Sequence, residues 1–105
     1  MGSFDDRDKL LQQFRADAEK LYQGRVRQVV LFGSRARGDA HDGSDWDVAL
    51  FIDEFDRGRE SRPLNFLCAN YRLRGLKVSA IGLPVDRRGV SLNLLRNIDV
   101  DGVPL

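Results

Sequence analysis

The sequence predicts one small α/β domain over residues 1–105, a short mixed sheet of three to four strands with helices mainly on one face. Three observations carry that reading. Segments with helical spacing of apolar residues alternate with β-branched, strand-like runs, in the order αβ(turn)βαβα. A chain of 105 residues, 42% apolar and 31% charged, suits a single core and is neither disordered nor collagen-like in composition. No internal repeat, linker or low-complexity tract divides it.

The first helix follows from Leu10, Leu11, Phe14, Ala18, Leu21 and Tyr22, which share one face. It begins near Ser3 or the Asp5-Asp6 pair and stops at Gly24. Val26 to Phe32 is a strand bounded by Gly33, and Arg35 to Ser44 reads as a short helical turn and a loop. Asp45 to Ile52 is a second strand, with Trp46, Val48, Leu50 and Ile52 on one face and Asp45, Asp47, Ala49 and Phe51 on the other. Asp53 to Arg62 reads as a charged loop, and Pro63 as the first turn of a helix with the stripe Leu64, Leu67, Cys68 and Tyr71, ended by Gly75. Leu76 to Leu83 is a third strand closed by Pro84. Ser91 caps a last helix carrying Leu92, Leu95 and Ile98, and the Val103-Pro104-Leu105 tail is unassigned.

Composition narrows the chemistry. The longest apolar run, Val29-Val30-Leu31-Phe32, falls far short of the roughly 18 residues of a membrane span. The N-terminus lacks a signal-type apolar segment, so a cytoplasmic location without a membrane partner is expected. One cysteine, Cys68, leaves no internal disulfide, and one histidine, His41, no multi-histidine metal site. With 17 Lys+Arg against 16 Asp+Glu, the net charge of +1 gives no electrostatic footprint for nucleic acid. Chemistry would have to rest on carboxylates.

Asp45 and Asp47 lie two apart on a strand, so their carboxylates leave one face about 7 Å apart. Such a pair either solvates an edge strand or, at the start of the apolar run Val48-Ala49-Leu50-Phe51-Ile52, needs a cation to relieve its repulsion. A hard divalent ion suits oxygen ligands, and Mg²⁺ keeps positions open for substrate phosphates. Gly33-Ser34 is either a strand terminator with an N-cap, or a turn whose glycine admits close approach while the hydroxyl and following N–H groups hold a phosphate.

In the combination of Gly33-Ser34, ten intervening residues and Asp45-x-Asp47, the chain resembles the DNA polymerase beta-type nucleotidyltransferases. The run Gly33-Ser34-Arg35-Ala36-Arg37-Gly38 on so short a chain is similar to their minimal nucleotidyltransferase branch, and the resemblance extends from Val26 to the C-terminus. It implies the small nucleotidyltransferase fold and binding of ATP or another nucleoside triphosphate. Gly33, Ser34 and Arg35 would lie at the phosphates. Asp45 and Asp47 would be the catalytic ligands of Mg²⁺, for which Mn²⁺ could substitute. It also implies a partner, a HEPN-type ribonuclease toxin, which such antitoxins modify by attaching AMP to a tyrosine, in a homo- or hetero-oligomer.

One departure stands out. The resembled family supplies a third carboxylate from the neighbouring strand, and here that strand reads Leu76-Lys77-Val78-Ser79-Ala80-Ile81, with Ser79 at the acid's position. Asp53 lies about 20 Å along the strand from Asp47. Asp86 falls past the end of strand three, and Asp39 and Asp42 are loop acids without a defined place. An active enzyme and a catalytically impaired antitoxin that acts by binding its partner therefore both remain. A free-standing transferase for a small molecule or tRNA is disfavoured, because 105 residues leave no room for a second domain to grip base and acceptor.

The other notable side chains have structural readings. Arg37 pairs with Asp39 or Asp42, Trp46 packs under a helix away from the acids, and Cys68 is a small hydrophobe. His41 sits in a solvated loop, and Tyr22 and Tyr71 lie on apolar helical stripes.

Overall fold

The computed structural model describes residues 6–105. Its elements run α1 (Asp6–Leu21), β1 (Val26–Phe32), α2 (Ser34–Arg37), β2 (Trp46–Ile52), α3 (Arg57–Leu73), β3 (Val78–Pro84), α4 (Leu92–Asp101) and β4 (Val103–Pro104). Ser3 and Asp5, expected near the start of α1, lie outside the described residues.

The four strands form one mixed sheet in the order β3-β2-β1-β4. β1 pairs antiparallel with β2 and with β4, while β2 and β3 run parallel. Parallel neighbours need a long crossover, and α3 supplies it. The sheet, with helices chiefly on one face, is the architecture the sequence predicts.

Alternation along β2 sorts the core into two parts. Val48, Leu50 and Ile52 pack with Leu11, Phe14 and Ala18 of α1 and with Leu64, Cys68 and Tyr71 of α3. The Phe14 and Tyr71 rings meet edge to face at 5.3 Å, and the Tyr71 hydroxyl donates to Asp17 at 2.5 Å. On the opposite face Ala49 and Phe51 join Val30, Leu83 and Ile98, covered by Leu94 and Leu95 of α4. Leu21 departs from the expected α1 stripe and is exposed.

Three expectations are corrected. Residues 57–62, read as loop, are the first turns of α3. Asp56 caps the helix by accepting from the N–H groups of Gly58 and Arg59, and Glu60 accepts from the Asp56 N–H at 3.0 Å. Charged composition concealed this reciprocal cap, which satisfies end donors the chain would otherwise leave unpaired. Pro63 consequently sits inside α3 rather than in its first turn. The C-terminal tail is a short strand beside β1, extended by the Leu105 N–H donating to the Val29 carbonyl.

Candidate active site

The site is assembled where the adjacent strands β1, β2 and β3 are in register. Phe32 pairs with Asp47, and Asp47 pairs with Ser79. Paired residues on adjacent strands share a face, so Asp47 and Ser79 lie side by side, opposite the face carrying α1 and α3. Trp46 falls on the covered face, half-buried against the α1–α3 core. Asp45 immediately precedes β2 and is exposed.

Gly33 ends β1 with φ +76 and ψ −159, a backbone shape that L side chains rarely adopt. Any Cβ at this position would also collide with Oδ2 of Asp47. The glycine thus does two things at once: it turns the chain into α2, and it lets the turn lie directly against the carboxylate. Within α2 the first backbone bonds run from the Ala36 and Arg37 N–H groups to the Gly33 carbonyl. The N–H groups of Ser34 and Arg35 precede that ladder, at the positive end of the turn.

The electrostatics follow from this geometry. Burial raises the Asp47 pKa, the Asp45 charge raises it further, and Arg37 partly offsets both. Negative charge is therefore held at Asp47 against its preference, the condition a divalent cation relieves. The oxygens of Asp45, Asp47 and Ser79 are hard donors of the kind a divalent cation takes. Among the described residues no group of three or more His, Cys, Asp and Glu converges on a metal-sized point.

The two arginines of the turn have different partners. The Arg35 guanidinium lies 4.6 Å above the Trp46 ring and donates to the carbonyls of Ser44 (3.1 Å) and Asp42 (3.4 Å). Trp46 is on the covered face, so the Arg35 guanidinium is turned toward that face, while its backbone N–H stays at the start of α2. Arg37 instead supplies the nearby positive charge. It bonds Asp39 and, unforeseen in the sequence, Asp101 at the end of α4, each at 3.1 Å. No local signal links residues 37 and 101; only the docking of α4 brings them together.

The remaining candidates have local partners. His41 accepts from the Gly43 N–H and its own N–H donates to the Ser44 hydroxyl, so it shapes the loop. Asp53 pairs with Arg27, and Asp86 accepts from the Arg88 N–H. Tyr22 donates to the Glu60 carbonyl at 2.7 Å, and burial pushes its pKa up to about 12. Cys68 is buried, and burial raises its thiol pKa.

A paired-carboxylate strand thus lies beside a glycine turn that opens a helical N-terminus. The nucleotidyltransferase domain matches residues 11–89, most of the chain, and the protein belongs to that family. A candidate protein adenylyltransferase of Methanocaldococcus jannaschii is 29% identical over 66 residues, 63% of this chain and 67% of that protein. A second from the same organism is 38% identical over 50 residues, 47% of this chain and 50% of its own length. The chain thus spans between half and two thirds of these relatives. In fold it is similar to a toxin–antitoxin crystallised with AMP-PNP, with a TM-score of 0.61 at 21% identity, over 94% of this chain and 71% of that one. A mutant of the toxin–antitoxin MntA–HpeT gives 0.60 at 19% identity, over the same shares of the two chains. No helix among the described residues is long and apolar enough to cross a membrane.

Proposed function

We propose that the protein binds ATP with Mg²⁺ at the Gly33–Asp47 junction, and that it acts on a partner protein as a toxin-neutralising adenylyltransferase. The carrying observation is that the Gly33 turn lies directly against the Asp47 carboxylate, on the sheet face away from α1 and α3. That contact supports one shared site, with phosphate held by the backbone of the turn and a cation by Asp47 and its neighbour Asp45. The names of the archaeal relatives support AMP transfer to protein, and the toxin–antitoxin relatives in fold support a toxin as the partner. A HEPN-type ribonuclease with an acceptor tyrosine is the partner implied by the sequence resemblance.

In this reading the Ser34 hydroxyl and the N–H groups of Ser34 and Arg35 hold the β- and γ-phosphates, as helix N-termini hold anions. Arg37, the last residue of α2, adds positive charge near Asp47. Asp45 and Asp47 would hold Mg²⁺, which when bound neutralises phosphate charge and orients the triphosphate. The acceptor oxygen forms a bond to the α-phosphorus as the bond to the β-phosphate bridging oxygen breaks, pyrophosphate leaves, and the acceptor's proton passes to solvent water. Ser79, opposite Asp47, is neutral and a poor recipient for that proton.

That placement favours a second reading: the protein binds nucleotide and partner but transfers AMP slowly, and neutralises chiefly by binding. Calorimetry with ATP, with and without Mg²⁺, tests the site itself. Transfer of label from α-labelled ATP to a purified toxin partner separates the readings. Rapid transfer supports the enzyme, and nucleotide binding without transfer supports neutralisation by binding. Absence of Mg²⁺-dependent ATP binding would overturn both.

A further inference from the structure

Helix α3 carries two apolar stripes rather than one. Leu64, Cys68 and Tyr71 are buried in the core, but Phe66 is 67% exposed and Leu73 88% exposed, one heptad apart on the outer side. Exposed apolar residues scattered singly need no explanation, but these two share a stripe and a strongly charged setting. Residues 57–77 hold six Lys and Arg against the single acid Glu60, in a chain whose net charge is only +1. Glu60 is already engaged by Arg25. Among the described residues neither Arg57 nor Arg62 has an ion-pair partner.

The same helix borders the free edge of the sheet. A cleft of about 370 Å³ runs between Arg57, Ser61 and Asn65 on α3 and Ser79 to Gly82 on β3. A second, of about 220 Å³, continues it past Ala69 and Arg72 and shares Asn65, Ser79 and Ala80. Ser79, the residue beside Asp47, thus lies in both. The edge backbone is not free for strand addition: Arg72 Nε donates to the Val78 carbonyl at 3.0 Å, and the Ala80 N–H is bonded to Cys68. Recognition here must work through side chains.

We infer that this groove and the outer stripe of α3 dock an acidic segment of a partner protein, one that sets carboxylates around one or two apolar side chains. The apolar groups would cover Phe66 and Leu73, and the carboxylates would meet Arg57 and Arg62. Charge excludes a second copy apposing the same face, because its arginines would repel. The inference rests on the proposed function: a segment seated here runs along the edge strand that carries Ser79, around that edge from the sheet face that holds Asp47.

The test uses the whole chain and two synthetic peptides of identical apolar pattern, each with one tyrosine, flanked by glutamates in one and lysines in the other. In amide NMR spectra the glutamate peptide should shift α3 and Ser79–Gly82 resonances, and the lysine peptide should not. Arg57→Glu with Arg62→Glu should weaken binding about tenfold or more, more so at low salt. Glu is favourable at the first position of a helix and residue 62 is exposed without an ion-pair partner among the described residues, so this variant should keep the parent melting temperature. Phe66→Ser should weaken binding while sparing the core. Equal binding of both peptides, shifts mapping elsewhere, or binding only of anionic vesicles or an RNA oligonucleotide would overturn the inference. An ATP–Mg²⁺ titration of parent and double variant separates the two claims. Absence of nucleotide binding in the parent overturns the functional reading, whereas equal nucleotide affinity in both proteins with no binding of the glutamate peptide by the parent overturns the docking surface alone.

Discussion

β2 serves two faces that share a backbone and little else. On one, Val48, Leu50 and Ile52 are wholly buried under α1 and α3. On the other, Ala49 and Phe51 are buried beneath α4, but Asp47, two residues earlier, is only half covered. The first face is uniform from end to end, and the second changes from hydrocarbon to charge within about 7 Å. Full burial of Asp47 would remove its charge from water without a paired cation, which is costly. The acid end therefore stays open and keeps a carboxylate that the metal-free fold holds at a disadvantage. One face is uniformly apolar, and the other gives up some stability at Asp47.

Substitutions should separate these contributions. The largest loss is expected on the covered face: Leu50→Ala should cost about 2–5 kcal/mol in thermal denaturation, with ATP affinity retained by whatever fraction stays folded. Gly33→Ala forces both an unfavourable backbone shape and a clash with Asp47, costing about 1–3 kcal/mol. Unlike Leu50→Ala, it should abolish Mg²⁺-dependent nucleotide binding in folded protein, as calorimetry would show. Undiminished affinity there would contradict the Gly33–Asp47 site.

Asp47→Asn should act in the opposite sense on stability. The folded-state pKa of Asp47 lies above its ordinary value, so the native state holds the proton more tightly than the unfolded chain. Its destabilising contribution is then complete above the folded pKa and fades as pH falls toward the unfolded value. In chelator at neutral pH the Asn variant should melt a few degrees higher than the parent, a gap that closes in acid, while its Mg²⁺–ATP affinity falls. Ser79→Asp should do the reverse, melting lower in chelator, recovering with Mg²⁺ and transferring AMP faster. A chelator-independent melting temperature would show that Ser79 and Asp47 do not share a site.

The smallest contrast lies within the turn. Arg37→Ala should weaken ATP binding. Arg35→Ala should leave it nearly unchanged and lose about 0.5–1 kcal/mol of stability through the Trp46 contact. The reverse pattern would place Arg35, after all, at the phosphates.

Much of this was legible in the residues. Strand β1 has the bounds its β-branched run suggested, and alternation from Asp45 to Ile52 put Trp46 and Asp47 on opposite faces. Parity along the third strand set Ser79 beside Asp47. The start of α3 was not legible, because Arg57, Arg59 and Arg62 carry no apolar stripe and only the cap at Asp56 and Glu60 shows the helix. Nor was the β4 pairing, since two residues of strand carry almost no pattern.

The sequence by itself determined which side chains share a face, because a strand's period of two is imposed by covalent geometry and needs no partner. It likewise marked Gly33 and the acid pair as one spacing. Only the tertiary structure decided what lies opposite each of them. Arg35 is drawn to Trp46 and Arg37 to Asp101, Asp47 rests against Gly33, and a cleft runs along β3 beside Arg57 of α3. These outcomes depend on how helices dock on the sheet, a balance of burial and charge among residues far apart in the chain, which local pattern does not encode.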